Sequence, residues 1–467
     1  MTLTVADIVE AVGGRLLSGD GKAVVPGLSI DTRTLEAGDL YIAIRGERFD
    51  GHAFVEAALA GGACGAVVSQ SVGHLPPVVV SGRALIVVPD TTGALQRLAR
   101  WVRRQSGARV VAITGSAGKT TTKDVTAAFL GLRHRVMQSS GNLNNHIGLP
   151  LSLLELRHGA EVAVVELGMN HAGEISRLVK IAEPDVRVWT NVAEVHIGFF
   201  ASIDAIADAK AEVLEGATAT TVLVANADDP RVMSRVGGFL GRVLTFGTAP
   251  GSTVTASEIE DLGIDGMTAR VSTGAGSVRV HVPLLGRGNL QNVLAAVAVA
   301  QEFGVGLADI AGRATTLGPA SHRGDVIRLG GGVTVVDDAY NSNPRALQGA
   351  LGVMAGERRF TRRVAVLGEM LELGDQAVLL HEACGRAAAA SGLSLLLTVG
   401  GEPARAMGRA AVQAGMPEIA VRHVGSSAEA AEIVATAVHA GDLVLVKGSR
   451  GIRTERVVER LVATFPV

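Results

Sequence analysis

A chain of 467 residues is too long for one hydrophobic core and predicts three domains of roughly 100–200 residues each. Apolar residues make up 48% and charged residues 19%, which excludes a disordered chain. A net charge of −2 and only 3% aromatics provide neither the field nor the stacking platforms that nucleic acid needs, and no attraction to an anionic membrane. Cys64 and Cys384 lie far apart and outside any C-x-x-C pattern, so neither a disulfide framework nor a zinc knuckle is expected. No uncharged apolar run reaches the roughly 18 residues that span a bilayer, and no signal-peptide pattern is present. A cytoplasmic protein without membrane insertion is expected.

The predicted elements describe an α/β chain. Residues 1–95 carry strand-like pieces at 40–44, 65–69 and 84–88, with a helix-like segment at 53–60, and read as a small N-terminal α/β domain. Residues 89–93 form a junction into an Arg-rich helix, whose Arg97, Arg100, Arg103 and Arg104 read as solvated surface, as do Arg358, Arg359, Arg362 and Arg363. Residues 96–321 alternate strands (110–114, 162–166, 186–190, 222–226) with helices, the pattern of a parallel sheet covered on both faces and of a P-loop-type ATPase domain. A Gly-rich portion, 247–288, interrupts that rhythm as an antiparallel excursion, and 290–303 reads as a buried Ala-rich helix. Residues 322–467 start a second, Rossmann-like rhythm with strands at 333–337, 364–367, 395–399 and 443–447. Helices are expected at 376–391, 402–414, 427–439 and 452–463.

The most informative stretch is Val110-Val-Ala-Ile-Thr-Gly-Ser-Ala-Gly-Lys-Thr-Thr-Thr122, a strand, a glycine loop and a helix starting near Lys119. That order gathers backbone N–H groups and a helix N-terminus at one point, which suits nucleotide phosphates. Lys119 adds a cation, and the Thr120 hydroxyl reaches a Mg²⁺. The strict G-x-x-x-x-G-K-[ST] pattern has Gly where this chain has Ile113, so an ordinary strand–turn–helix corner is the other reading. Glu166 closes the 162–166 strand at the end where a nucleotide-bound Mg²⁺ needs an acid; a helix cap or surface charge is the alternative. Asn191 ends the next strand, and His196 follows it. Alone, His196 reads as a loop histidine; beside Glu166 and the loop it becomes a candidate ligand. Asp228 and Asp229 read as turn formers before Pro230. Lys210 lies on an amphipathic helix and by itself reads as a solvated lysine. Asn-rich 141–148, Asp337-Asp-Ala-Tyr-Asn-Ser-Asn-Pro344 and Lys447-Gly-Ser-Arg-Gly-Ile-Arg453 add three polar clusters at strand ends, consistent with one cleft.

Taken together these motifs resemble the Mur ligases of peptidoglycan synthesis, over the whole chain. The resemblance rests on Asp31-Thr-Arg, Gly38-Asp-Leu-Tyr-Ile-Ala-Ile-Arg-Gly46, Gly115-Ser-Ala-Gly-Lys-Thr-Thr121, Asn144-Asn-His-Ile-Gly-Leu-Pro150 and Glu166-Leu-Gly-Met-Asn-His171. It continues through Ala209-Lys-Ala-Glu-Val213, Asn289-Leu-Gln-Asn292, Ser321-His-Arg-Gly-Asp325 and Val446-Lys-Gly-Ser-Arg450. Asp338-Ala-Tyr-Asn-Ser-Asn-Pro344 with Met370-Leu-Glu-Leu-Gly374 resembles the dipeptide-adding branch.

The resemblance implies an ATP-dependent amide ligase adding D-alanyl-D-alanine to UDP-N-acetylmuramoyl-tripeptide through an acyl phosphate, as a monomer. It assigns ATP to Gly115, Ser116, Ala117, Gly118, Lys119, Thr120, Thr121, Asn289, Asn292, Arg323 and Asp338. It assigns two Mg²⁺ to Thr120, Glu166, His196 and a carboxylated Lys210, which reverses the solvated reading of that lysine. Catalysis then falls to Lys119, Glu166, His196 and Lys210, and substrate contacts to Asp31, Arg33, Asn145 and Asn343. The nucleotide sugar is expected on the first domain, ATP on the second and the dipeptide with the third. Rival readings are a sister ligase adding one amino acid, a folate–glutamate ligase, a scaffold that binds nucleotide without catalysis, and a P-loop motor or switch ATPase. Ala117 and Gly288 stand where many family members have Asn and His, and His146 where Glu is frequent.

Overall fold

The structure, a computed structural model, describes residues 1–46, 49–69 and 82–467. It is a mixed α/β chain in two compact units. The first comprises residues 1–112, 134–168 and 174–185, and the second 113–133, 169–173 and 186–467.

In the first unit a five-stranded sheet runs in the order Arg15–Ser18, Ala84–Val88, Gly65–Ser69, Leu40–Ile42, Leu28–Ser29. Only the Arg15–Ser18 edge is antiparallel. Tyr41, Ala43, Val55, Leu59, Ala66 and Val68 form its core on one side. A helix absent from the expectations, Val5–Val12, precedes the sheet; Thr4 and Asp7 close a capping box around its first turn. The expected 53–60 helix is in two parts, because Asp50 caps a 3₁₀ turn at Gly51–Phe54 before the α-helix Val55–Ala60.

The Arg-rich helix is Thr91–Ser106, capped by Asp90, and it runs through the expected 95/96 boundary. Its arginines are not simply solvated. Arg103 donates to the carbonyls of Ala182 and Glu183 and to Asp185, while Arg100 and Arg104 both pair with Glu183. The same unit holds the parallel strands Val136–Gln138 and Val162–Glu166.

Strand Arg109–Thr114 starts in the first unit and ends in the second. In the second unit, Val186–Trp189, Val222–Asn226, Arg242–Gly247 and Val254–Asp261 are successive parallel neighbours. The Gly-rich interruption is the antiparallel run Val254–Asp261, Met267–Thr273 and Gly276–Val282, as expected. Helix Gly286–Glu302 starts four residues before the expected position and buries Leu290 and Asn292 through Ala300.

The last sheet has the order Asp325–Arg328, Thr334–Asp338, Leu443–Lys447, Arg363–Gly368, Leu395–Val399, Val421–Val424, parallel but for its first strand. Valines and leucines of these strands pack against helices Ser427–Ala437 and Glu455–Thr464. The second cation run is also engaged. Arg359 binds Glu357 and Asp265, Arg362 faces Asp442 at 3.6 Å, and Arg363 donates to the carbonyls of Met354 and Ala355. Among the described residues no helix is long and apolar enough to cross a membrane.

Candidate nucleotide site

Apolar residues bury the strand Arg109–Thr114, and its end delivers the glycine loop. Gly115 has φ 148°, and a Cβ there would stand 1.9 Å from Thr190 Oγ1, so only glycine fits. The loop is clamped to the end of the neighbouring segment. Ser116 N donates to Asn191 O (3.0 Å), Ala117 N to Asn191 Oδ1 (2.9 Å), and Thr190 Oγ1 and Asn191 Nδ2 both donate to Ala117 O. The Ser116 hydroxyl donates to Ala193 O and accepts from Ala193 N. Asp229 in turn holds Val192 N at 2.8 Å and caps Pro230–Met233, so it is a structural acid, in line with the turn reading.

Gly118, at φ 82°, is the N-cap of helix Lys119–Leu130, and no side chain caps that helix. Its first-turn amides therefore suit an external anion. A Cβ on Gly118 would lie 2.2 Å from Asn292 Oδ1, which makes Asn292 a wall of the loop. Asn292 is buried and donates to Asn289 Oδ1, and Asn289 donates to Leu285 O. Lys119 Nζ lies back on Gly115 O at 2.8 Å. Thr120 and Thr121 are half-buried in the first turn.

Lys210 is 3% exposed, which overturns its reading as a solvated lysine. Burial, and then the Lys119 charge, hold its ammonium well below the ordinary lysine value. His196 sits at φ 59°, and its Nδ1 is paired with Glu372. Burial lowers its imidazole pKa; Glu372 opposes that shift, while Lys119 and Lys210 add to it. Lys119, His196 and Lys210 thus share one electrostatic neighbourhood. Among the described residues no group of three or more His, Cys, Asp or Glu stands ready for a metal. Any Mg²⁺ held here would therefore have to take most of its ligands from phosphate oxygens and water.

Further sequence-singled residues lie in the second unit. Arg323 stacks on Tyr340, 4.0 Å from the ring centroid, with Arg450 at 5.6 Å. Asp338 accepts from Lys447 Nζ at 2.6 Å. Asn343 caps helix Pro344–Gly356 through Ala346 N.

Glu166, Asn145, Asp31 and Arg33 belong to the first unit. Glu166 is 2% exposed at the end of Val162–Glu166, with Asn144 Nδ2 3.5 Å from its Oε2. Asn145 Oδ1 accepts from Ile147 N and Gly148 N, so its oxygen already serves a turn. Arg33 is exposed and grips Asp31 through Nε and a terminal nitrogen, which, with the Arg33 amide, holds the Asp31 carboxyl down at about 2. A cavity of about 240 Å³ in this unit is lined by Leu28, Gln138, Ser140, Leu143, Leu151 and Arg157.

The sequence reading gave no role to four residues. Thr190 and Asn191 clamp the loop, and Asn191's place at a strand end was their signal. Asn144 was quoted within a motif but passed over for its neighbour. Glu372 was quoted within the Met370–Gly374 motif, but its partner His196 lies 176 residues away and nothing local linked the two.

Three family models match in succession: "Mur ligase family, catalytic domain" over residues 24–103, "Mur ligase middle domain" over 113–300 and "Mur ligase, glutamate ligase domain" over 322–450. The chain is 34% identical over 463 residues to the UDP-N-acetylmuramoyl-tripeptide–D-alanyl-D-alanine ligase of Bacillus subtilis (strain 168), covering 98% of each. A crystal structure of MurF from Acinetobacter baumannii superposes with a TM-score of 0.89 at 31% identity, over 99% of each chain. The MurF ligase of Thermotoga maritima in complex with ADP superposes with a TM-score of 0.81 at 28% identity, over 94% of this chain and 98% of that one.

Proposed function

Because the chain belongs to the Mur ligase family, we propose that it joins D-alanyl-D-alanine to UDP-N-acetylmuramoyl-tripeptide, cleaving ATP to ADP and phosphate, in peptidoglycan precursor synthesis. The observation that carries this reading is the match, along essentially the whole length of both chains, to ligases of that name. The uncapped helix behind the glycine loop, with Lys119 at its first residue, supports ATP as the energy source.

A carboxylate is a poor electrophile because its leaving group would be oxide. Transfer of the ATP γ-phosphoryl group to the terminal carboxylate of the tripeptide gives an acyl phosphate, from which phosphate can leave. The dipeptide amine attacks the acyl carbon, loses a proton and forms the amide. The residues of this chain bind and orient; no protein nucleophile is required. The first-turn amides and Lys119 take the phosphates, and Asn289, Asn292, Arg323 and Asp338 serve the remainder of ATP. Asp31 and Arg33 serve the nucleotide sugar. Asn145 and Asn343 serve the peptide through their amide nitrogens, their oxygens being used in a turn and in a helix cap.

Thr120, Glu166 and His196 would hold Mg²⁺, which when bound offsets the repulsion between carboxylate and γ-phosphate. Burial lowers the pKa of the Lys210 ammonium and so favours the amine, the form that adds CO₂ and releases a proton to become a carbamate, and this supports a carboxylated lysine there. We place the domains at 1–95, 96–321 and 322–467; three successive family matches support their number and order, while the first match, 24–103, crosses the 95/96 boundary. A cytoplasmic monomer completes the reading.

Phosphate release from ATP with UDP-N-acetylmuramoyl-tripeptide tests it, with D-alanyl-D-alanine or single amino acids added in turn. Release strictly dependent on the dipeptide is expected. Release with a single amino acid instead would move the chain to a sister ligase, and ATP binding without release would leave only a nucleotide-binding scaffold.

A further inference from the structure

Loop 369–374 leaves the strand Arg363–Gly368 and is fixed residue by residue. Glu369 N donates to Val399 O (2.8 Å), Met370 N to Nε2 of the buried His381 (2.9 Å), and Leu371 N to Ser449 Oγ (3.0 Å). His381 is itself held through Nδ1 by Ala377 O at 2.7 Å, so its Nε2 is the accepting nitrogen. Glu372, the next residue, has φ 65°, a left-handed conformation rare for a residue with a side chain.

The facing loop has the same feature, with His196 at φ 59°. Between the two, Gly198 N donates to Glu372 O at 3.1 Å. A Cβ on Gly198 would stand 2.8 Å from Gly374 N, and one on Gly374 would stand 2.7 Å from Gly198 Cα. The backbones therefore touch with room for no side chain. Two left-handed residues face each other across this glycine contact, and their side chains meet as the Glu372 carboxylate on His196 Nδ1. Strain held by so many fixed partners is a mark of function.

We propose that Glu372 is a positioning residue for His196: its carboxylate accepts the Nδ1–H hydrogen bond and leaves Nε2 as the lone-pair nitrogen that faces the metal. The inference rests on the metal-facing reading of His196. A carboxylate behind a ligating imidazole fixes its tautomer and ring orientation and raises its basicity, and loss of such a partner typically costs about 10–100-fold in metal affinity. The C-terminal sheet thereby sets a ligand of the nucleotide site without touching the metal. The ligand is fully oriented only while loops 196–199 and 372–374 are in contact.

The test uses the full-length protein with ADP, and Mn²⁺ as the probe, counted by electron paramagnetic resonance. Nitrogen-15 NMR of labelled histidines reads the His196 tautomer at a pH where imidazoles are neutral. Glu372→Ala is expected to weaken about 10–100-fold the Mn²⁺ that His196→Ala also weakens, and to lose the Nδ1–H tautomer. Glu372→Gln, whose amide oxygen still accepts, is expected to keep that tautomer and recover most of the affinity. Glu372→Ala with unchanged Mn²⁺ affinity and tautomer, while His196→Ala weakens Mn²⁺, overturns the proposal and leaves the metal reading intact. Unchanged Mn²⁺ binding in His196→Ala means that the metal reading has failed, and the proposal with it.

Discussion

Two helices of this chain begin in opposite ways. Helix Thr91–Ser106 is complete in itself: Asp90 accepts from Thr92 N (3.0 Å) and Gly93 N (2.8 Å), and Arg103 and Arg104 sit in its last turn. Its orphan amides and its dipole are both answered by its own sequence. Helix Lys119–Leu130 has a glycine at its N-cap, no side-chain cap and no acid in its first turn, and it adds a lysine there. The first helix is built to hold the fold. The second leaves its positive end to an anion from outside, and the buried Lys210, which feels the Lys119 charge, adds to the positive field there. Other helices, Gly286–Glu302 and Glu402–Gln413 among them, also lack a side-chain cap, so the functional sign is the missing cap joined to a glycine loop and a first-residue lysine.

The comparison breaks most severely at Gly118. Alanine there must adopt φ 82° and place a Cβ 2.2 Å from Asn292 Oδ1, so the loop has to move. Gly118→Ala is expected to lower kcat/KM for ATP on the order of 100-fold, since a displacement of about 1 Å in a positioning element can cost that much. Titration calorimetry with ADP should register the same loss in binding. Full nucleotide affinity in this variant would show that the loop's shape does not hold the phosphates.

Lys210→Met sharpens the comparison from the side of charge. The folded protein holds the Lys210 ammonium below its unfolded pKa of about 10.4, so the unfolded chain binds the proton more tightly. The resulting penalty on stability is full below the folded pKa and disappears as pH rises through the unfolded value. Methionine removes it. Without ligands and in CO₂-free buffer near neutral pH, the variant is expected to melt about 2 °C or more above the wild type, a gap that closes toward alkaline pH, while turnover is lost. A lower melting temperature would mean that the lysine is compensated in the folded state and is not an electrostatic vacancy for a ligand.

Much of this was legible in the sequence because the signals are local. Largely apolar runs such as 395–399 and 443–447 marked parallel strands with their observed ends, and the Gly-rich interruption gave the antiparallel strands. The glycine loop and Lys119 were readable from one strand–loop–helix pattern, and Glu166 from its place at the end of the 162–166 strand. Long-range pairing was not. The helix carrying Lys210 has a charged, Ala-rich surface pattern, and only tertiary packing buries that lysine. The arginines of Thr91–Ser106 read as solvated because their partners, Glu183 and Asp185, lie about 80 positions away. The His196–Glu372 pair depends on two left-handed residues, a conformation that neither residue type advertises.

Asp90→Ala is the smallest of the expected effects and completes the comparison from the other helix. Removing the cap leaves Thr92 and Gly93 amides to water, at a cost of about 1 kcal/mol, seen as a lower urea midpoint; Asp90→Asn, an equally good cap, should restore it. Nucleotide affinity should not change, because the cap is structural. A ligand that binds only the folded state stabilises by RT ln(1 + [L]/Kd), so ADP should raise the melting temperature of Asp90→Ala as much as that of the wild type. The same ADP should do far less for Gly118→Ala. If Asp90→Ala instead loses the ADP-induced shift, then the two helix ends are coupled, and the division between a structural and a functional N-terminus fails at its simplest point.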